Sequence, residues 1–547
     1  MDRSENGYRF AARIAGTVIE QYRGLSKKGK AIVGEEWSPL AAVVLVGGDG
    51  QGKNCGQDLP VMKVVALGTG SKCIGQQRMS RRGWVVNDSH AEVLARRAFC
   101  RYLQGQIGEC LRGSEQSVMV RGGQGRVRVK SQYSFHFFAT QPPCGDACIF
   151  PVDAGGGQIA QTAGGGGRGR WVEHLLSNQV DPTDDSVSSN TSDNVTNDSS
   201  TSDNVTNDSS TSDNVINDDN TSGCVTNDKI TAVCDTSGDF DVPHAKRLKQ
   251  SFPPSPPQPG PSPPQPPSPP QLDPSSPQPD PSPPQLAPSP SRPVDIHRTG
   301  ARCTMRGECD PHLPGVGYHL LGALRTKPGR GDPTLSMACS DKMLRWNVLG
   351  CQGGLLASQL ECPLYFASFT FLDTLFNETA VRRALYGRLS LIAEALAKDG
   401  EISGRGYRLS TPDLHMVKAR EVLSQEELTC MVPSDLLRPA PGGVCWCAAP
   451  PLHDVVVQGV KQGASSRREL SRSSSVFVCK ARWLEDFKGL VETLPDDCLP
   501  QCLQVRAASC SYRECKQLDT VYCKARRLFL QFCPSWMENA EEYEHFK

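Results

Sequence analysis

Net charge is absent from this 547-residue chain, in which 59 Lys and Arg balance 59 Asp and Glu. Aromatic residues are scarce at 6%, and no apolar run is long enough to cross a bilayer, which excludes a bundle of membrane-spanning helices. The opening Met1-Asp2-Arg3-Ser4-Glu5-Asn6 lacks the apolar core of a secretory leader. With no leader expected, the 23 scattered cysteines read as reduced thiols and not as a disulfide framework. The expected compartment is therefore cytoplasmic or nuclear, not secreted, with no membrane contact. Several Asn-x-Ser/Thr sequons are then silent.

The zero balance is a cancellation. Residues 1–175 carry 23 Lys/Arg against 14 Asp/Glu, while residues 176–294 carry 5 against 16. The positive surplus of the first part suits contact with a polyanion, although a surplus of this size is also ordinary. Near residue 176 the composition changes. Thr191-Ser192-Asp193-Asn194-Val195-Thr196-Asn197-Asp198-Ser199-Ser200 recurs from 201 and, degraded, from 211 and 221. Each unit has almost nothing to bury, so a disordered repeat is expected and not a solenoid. From Phe252 to Pro293 runs a Pro/Ser/Gln tract, expected to be extended and partly polyproline II. Its PxxP matches are nearly unavoidable in such a composition, and no protein partner can be deduced. Lys246-Arg247-Leu248-Lys249 is a short basic cluster of the kind nuclear addresses use. Order is expected to resume at Asp295, giving a first half over 1–175, a disordered insert over 176–294 and a second half over 295–547.

Outside the insert, short strands alternate with helices, which predicts an α/β layered core. Residues 8–34 suggest a polar-faced helix ending in Lys27-Lys28-Gly29-Lys30. Ala41–Val46 and Met62–Leu67 read as strands joined by a turn at Gly47-Gly48-Asp49-Gly50, and Pro363–Leu372 contains a buried strand. The last third reads as helical. Gly68-Thr69-Gly70-Ser71-Lys72-Cys73 has the spacing of neither phosphate-binding fingerprint. It reads either as a plain turn or as a loop offering Ser71 and Lys72 to a nucleotide.

The chemistry centres on Trp84-Val85-Val86-Asn87-Asp88-Ser89-His90-Ala91-Glu92, an apolar run that stops at a polar turn and opens a helix. Asp88 or Ser89 is the expected N-cap. His90 and Glu92 form His-x-Glu, half of the zinc-deaminase signature, in which the His binds metal and the Glu moves protons. Alone, the pattern is common and fits an ordinary helix start. The other half is Pro-Cys at a strand-to-helix junction, found in Pro143-Cys144 after the strand-like Tyr133–Ala139, with the thiolate expected at the positive end of a helix. Zinc needs a third protein ligand if a fourth position is to stay open. Cys148, one turn beyond Cys144, and Cys339, in Cys339-Ser340-Asp341-Lys342-Met343-Leu344-Arg345-Trp346-Asn347-Val348, both qualify, and spacing does not choose between them.

His90-Ala91-Glu92, Pro143-Cys144-Gly145-Asp146-Ala147 and Cys339-Ser340-Asp341-Lys342 with Arg345-Trp346-Asn347-Val348, in this order, resemble the adenosine-to-inosine RNA editing deaminases. The likeness runs from about residue 40 onward, apart from the insert. It implies a cytidine-deaminase-like mixed sheet flanked by helices, with a helical C-terminal extension. It also implies one catalytic zinc on His90, Cys144 and Cys339, which leaves Cys148 without a task, and Glu92 as the proton carrier. Asp88 and Lys342 become a link behind the metal. The resemblance further implies buried inositol hexakisphosphate, held by Asn87, Lys342, Arg345, Tyr512, Lys516, Tyr522, Trp536 and Glu538. Buried cations in such number require a polyanion to offset their desolvation, whereas the charges alone would also suit a solvated basic face. Two positions depart from the pattern: Gly354 stands where relatives have Ser, and Ser475 where Lys is expected.

Members that edit long double-stranded RNA carry binding domains before the deaminase, for which no room is expected here. They also carry a Glu after Arg-Thr-Lys that fills the gap left by the flipped base. This chain has Arg325-Thr326-Lys327-Pro328-Gly329-Arg330-Gly331-Asp332, with Gly329 at that place, and resembles instead the branch acting on tRNA. So does its ending, Ser535-Trp536 through Glu542-Tyr543-Glu544-His545-Phe546-Lys547. That branch implies the anticodon stem-loop as partner and, as target, the adenosine immediately 3′ of the anticodon of alanine tRNA. An unpaired loop base needs little unstacking, so a wedge is dispensable. Other readings are editing of double-stranded RNA, or a silent RNA-binding protein on a deaminase fold. The silent reading would be marked by loss of Glu92 or a ligand, and neither is lost. The composition of the insert generates a first prediction. Deleting 180–292 should leave solubility, zinc content and deamination close to those of the full chain, and aggregation or zinc loss would show that the segment is structural.

Overall fold

The computed structural model describes residues 3–47, 60–152, 295–304, 306–328, 332–434, 436–465, 469–504 and 509–547. The repeat and proline tract, the Gly48–Gly50 turn, the basic cluster at 246–249 and Gly329 lie outside the described residues. The described residues before and after the insert belong to one compact unit.

Its centre is an eight-stranded mixed sheet. The strands are β1 (Leu40–Gly47), β2 (Val61–Thr69), β3 (Tyr133–Ala139), β4 (Ser368–Leu372), β5 (Asp413–Val417), β6 (Gly442–Ala448), β7 (Pro451–Val457) and β8 (Val460–Lys461). Their order is β5-β4-β3-β1-β2-β6-β7-β8. Neighbours among β3, β4 and β5 run parallel, and all other neighbours run antiparallel. The register between β1 and β2 shifts between Val43 and Val44, a bulge that adds local twist.

Continuous apolar strands are expected where both faces of a sheet are covered, and β1 shows why. Ala41, Val43 and Leu45 enter a core with Leu94, Phe99 and Leu103 of α2 (Ala91–Leu111). Leu40, Ala42, Val44 and Val46 enter the opposite core with Ile14, Val18 and Ile19 of α1 (Arg3–Gly24). Seventeen of the 21 residues of α2 are buried, so this helix is enclosed and not merely laid on a surface. Full burial of Phe99 alone contributes roughly 2–3 kcal/mol relative to exposure. Gly68 allows the approach of β2 to α2, because a Cβ there would lie 2.6 Å from Ala91 O and Ala95 N.

A third core joins α3 (Cys339–Leu349) to α5 (Thr520–Phe532) through Leu344, Val348, Ala525 and Phe529. The helical extension begins with α4 (Lys480–Glu492). Before it, residues 442–461 add three strands to the sheet edge, the first of which buries Val444, Cys445 and Cys447. The first helix ends at Gly24, earlier than residue 34, and the 27–30 lysine cluster lies in a turn where Gly29 has φ +82°. No helix among the described residues is long and apolar enough to cross a membrane.

Candidate active site

Three candidate ligands from distant stretches converge at the ends of buried elements. His90 is the N-cap of α2, Cys339 is the first residue of α3, and Cys144 follows β3. Their donor atoms all lie within 4.8 Å of one another, with 3.9 Å between Cys144 Sγ and His90 Nδ1. One imidazole nitrogen and two thiolates suit zinc and leave a fourth tetrahedral position open. Cys148 is not in this group; its thiol faces the Pro143 carbonyl at 3.4 Å. The cysteine to which the resemblance points, Cys339, is the one the fold brings to the site.

Two local expectations change. The N-cap of α2 is His90 itself, with no side-chain cap. Asp88 and Ser89 belong instead to a short strand, Asp88–His90, paired with Ser71–Cys73, so that Ser71 stands opposite His90. Asp88 Oδ1 still accepts from His90 N at 3.1 Å and fixes the turn. The helix expected after Cys144 is one 3-10 turn, Asp146–Cys148. Cys144 faces the start of another helix, accepting from Cys339 N at 3.4 Å through Sγ and from Ser340 N at 3.0 Å through its carbonyl. Hydrogen bonding from Cys339, with help from the Lys327 ammonium and His90, pulls the Cys144 thiol well below its usual range, while burial pushes Cys339 up.

Glu92 is buried on the first turn of α2, and burial raises its carboxyl above the usual range against the pull of His90. Behind the triad lies Asp88. Burial would raise it, but the Lys327 and Lys342 ammoniums hold it well below the ordinary carboxylate range. Lys327 Nζ is 2.6 Å from Asp88 Oδ2 and donates to Cys339 Sγ at 3.3 Å, and Lys342 also pairs with Asp88. Lys327 was not singled out by sequence, because nothing in a linear pattern says that this lysine is 3% exposed.

Ser71, Lys72 and Ser89 line an open cleft of about 1150 Å³ with Arg78, Arg438 and Tyr543. A second cavity, about 640 Å³, lies beyond Asp88 and Lys342. Asn87, Lys342, Arg345, Tyr512, Lys516, Tyr522, Trp536 and Glu538 all line it. Nine Lys and Arg side chains face it against three carboxylates. Burial pulls the Arg345 guanidinium down to about 10 and Lys480 down to about 8, and it lowers Lys516 as well. Arg345 lies over the Trp536 ring at 5.0 Å and Lys516 over Tyr512 at 5.2 Å.

The cation expected at 475 is supplied by Lys480 at the start of α4; Ser475 is buried and donates to the Arg472 carbonyl. At Gly354 there is no space for a side chain, since a Cβ would lie 2.7 Å from the Tyr522 ring and 3.0 Å from Lys516 O. Glu544, also missed by sequence, pairs with Lys516 at 2.7 Å and with Lys480 at 3.0 Å. Its signal was the acidic ending, but only the fold puts that ending beside the lysines.

A family model described as the adenosine-deaminase (editase) domain matches residues 66–539. The chain is 31% identical to human tRNA-specific adenosine deaminase 1 over 548 residues, covering 98% of this chain and 99% of that protein. It is 24% identical to the tRNA-specific adenosine deaminase 1 of Drosophila melanogaster, covering 97% and 92%. Mouse double-stranded RNA-specific editase B2 is 33% identical over 144 residues, 26% of this chain and 18% of that protein.

The triad geometry generates a metal prediction. Elemental analysis of purified protein should find one zinc per chain, lost in Cys339→Ala and kept in Cys148→Ala. A zinc-replete Cys339→Ala protein would contradict the ligand set.

Proposed function

We propose, because the chain belongs to the adenosine-deaminase (editase) domain family, that it converts adenosine to inosine in tRNA, at the nucleotide immediately 3′ of the anticodon of alanine tRNA. Deamination of RNA adenosine follows from the family itself. The observation that carries the chemistry is the His90, Cys144 and Cys339 group with buried Glu92 in the first turn of the helix that His90 caps. The choice of tRNA rests on likeness along nearly the whole chain to deaminases named for tRNA, against a quarter of its length for the editase.

Zinc, when held by His90, Cys144 and Cys339, supplies a water acidified toward neutrality. Glu92 has the environment for the remaining proton traffic. A buried carboxyl with a raised pKa takes a proton from the attacking water and delivers it to N1 of the purine as the C6–O bond forms. It then relays the proton of the new C6 hydroxyl to the amino group, which leaves as ammonia when the C6–N bond breaks. Water and adenosine thereby become inosine and ammonia. Ser71 and Lys72 border the cleft next to His90 and are assigned to the nucleotide and its phosphates. Asp88, bridged to Lys327 and Lys342, holds the backbone of His90 and keeps a cation against Cys339.

The second cavity is assigned to inositol hexakisphosphate. The donor set fits a polyanion, since the guanidinium and ammonium groups lining the cavity outnumber its carboxylates threefold, and burial lowers Lys342, Arg345, Lys480 and Lys516. The reaction is assigned to the cytoplasm or nucleus, consistent with cysteines such as Cys100, Cys351 and Cys445 that are buried and unbridged.

The test is direct. Zinc-loaded protein incubated with total tRNA should produce inosine that maps to the position 3′ of the alanine anticodon. Glu92→Ala should retain zinc and tRNA binding yet lose about 10²–10⁴-fold in turnover. No inosine in tRNA from zinc-loaded wild type would overturn the substrate. Near-wild-type turnover of Glu92→Ala would remove the role of that carboxyl.

A further inference from the structure

The substrate cleft offers several groups for phosphates and one for a base. Lys72, Arg78 and Arg438 supply its positive charge, and Tyr543 is its only aromatic side chain among the described residues. Unpaired RNA bases are held largely by stacking on rings, while contacts to phosphates position the strand without reading it. A cleft that works on a loop nucleotide therefore needs a ring at its border.

Tyr543 comes from a 3-10 turn, Glu541–Tyr543, far in sequence from the rest of the cleft. Ion pairs fix this turn from several sides. Glu542 pairs with Arg81 at 2.9 Å, Glu541 with Arg513 at 2.8 Å, and Glu544 with both Lys516 and Lys480. The Tyr543 carbonyl also accepts from Lys480 at 3.5 Å. Three residues after Tyr543, Phe546 stacks on Tyr512 with ring centroids 5.2 Å apart, and its ring fills the space beside Gly83 that a Cβ would occupy. The backbone is thus anchored, while the phenol oxygen has no hydrogen-bond partner among the described residues. Neighbouring residues divide between the two cavities: Tyr543 borders the cleft and Glu544 the cationic cavity. A ring held by its backbone and left free at its polar tip is arranged to present a face.

We propose that Tyr543 stacks on an unpaired nucleobase beside the target adenosine, making it a substrate-binding residue for tRNA. The inference rests on the tRNA-deaminase reading and deepens it. Steady-state deamination of transcribed alanine tRNA by the full chain tests it, with zinc content measured for every variant. Tyr543→Ala should raise KM by roughly 10- to 100-fold, the scale of one lost base–ring stack, with kcat within about threefold of wild type and zinc unchanged. Tyr543→Phe should behave as wild type, and Tyr543→Leu, apolar but without a π face, should behave as Tyr543→Ala. An unchanged KM in Tyr543→Ala overturns the proposal, as does full rescue by leucine or a loss of zinc in the alanine variant. Each of these results leaves the tRNA reading standing. A wild-type protein that makes no inosine in tRNA would instead overturn that reading.

Discussion

An excess of buried positive charge is the constraint on which the rest of this structure depends. Nine Lys and Arg side chains share one cavity with three carboxylates, and Lys342, Arg345 and Lys516 come from two helical regions more than 150 residues apart. Removing a cation from water costs several kcal/mol even after relaxation, and repulsion between neighbours adds to it. Glu544 offsets part of this by pairing with two of the lysines. It leaves Arg345 without a carboxylate partner among the described residues, stacked on Trp536. On the proposed assignment, a bound polyphosphate would turn this repulsion into an attraction holding α3 and the C-terminal helices together. Ligand confined to the folded state stabilises by mass action.

The same charge reaches the catalytic centre through one carboxylate. Asp88 touches Lys342 on the cavity side and Lys327 on the metal side, and Lys327 donates to Cys339. Both Asp88 oxygens are engaged, one by the two ammoniums and one by the backbone N–H of His90. A buried cluster of this kind adds little net stability compared with apolar packing, but removing one member leaves a stranded charge at a cost of about 3–5 kcal/mol. Its value lies in geometry: it sets the turn that carries His90 and the side chain that faces Cys339. Gly68 works to the same end by packing rather than charge, since it lets β2 touch the first turns of the helix that bears Glu92.

The parts of the site that sequence revealed were those whose chemistry is local. His90 and Glu92 sit two residues apart on one helix start, and Cys144 follows a proline at a strand end, so both halves are readable as motifs. The apolar runs of β1 and β2 were equally plain. Cys339 was different, because Cys148 matched as well by spacing; the fold separates them by turning the Cys148 thiol toward the Pro143 carbonyl. Lys327, Lys480 and Glu544 carry no local signature, as their roles depend on burial and on partners up to 239 positions away, as between Lys327 and Asp88. The expected helix after Cys144 failed for a related reason. Its carbonyl and thiolate are satisfied by the start of α3, so no helix of its own is needed there.

Denaturing the zinc-loaded, active protein and weighing the small molecules it releases tests the central claim most directly. The charge imbalance predicts about one inositol hexakisphosphate per chain in the mass spectrum. Fully active protein that releases no polyphosphate would contradict it.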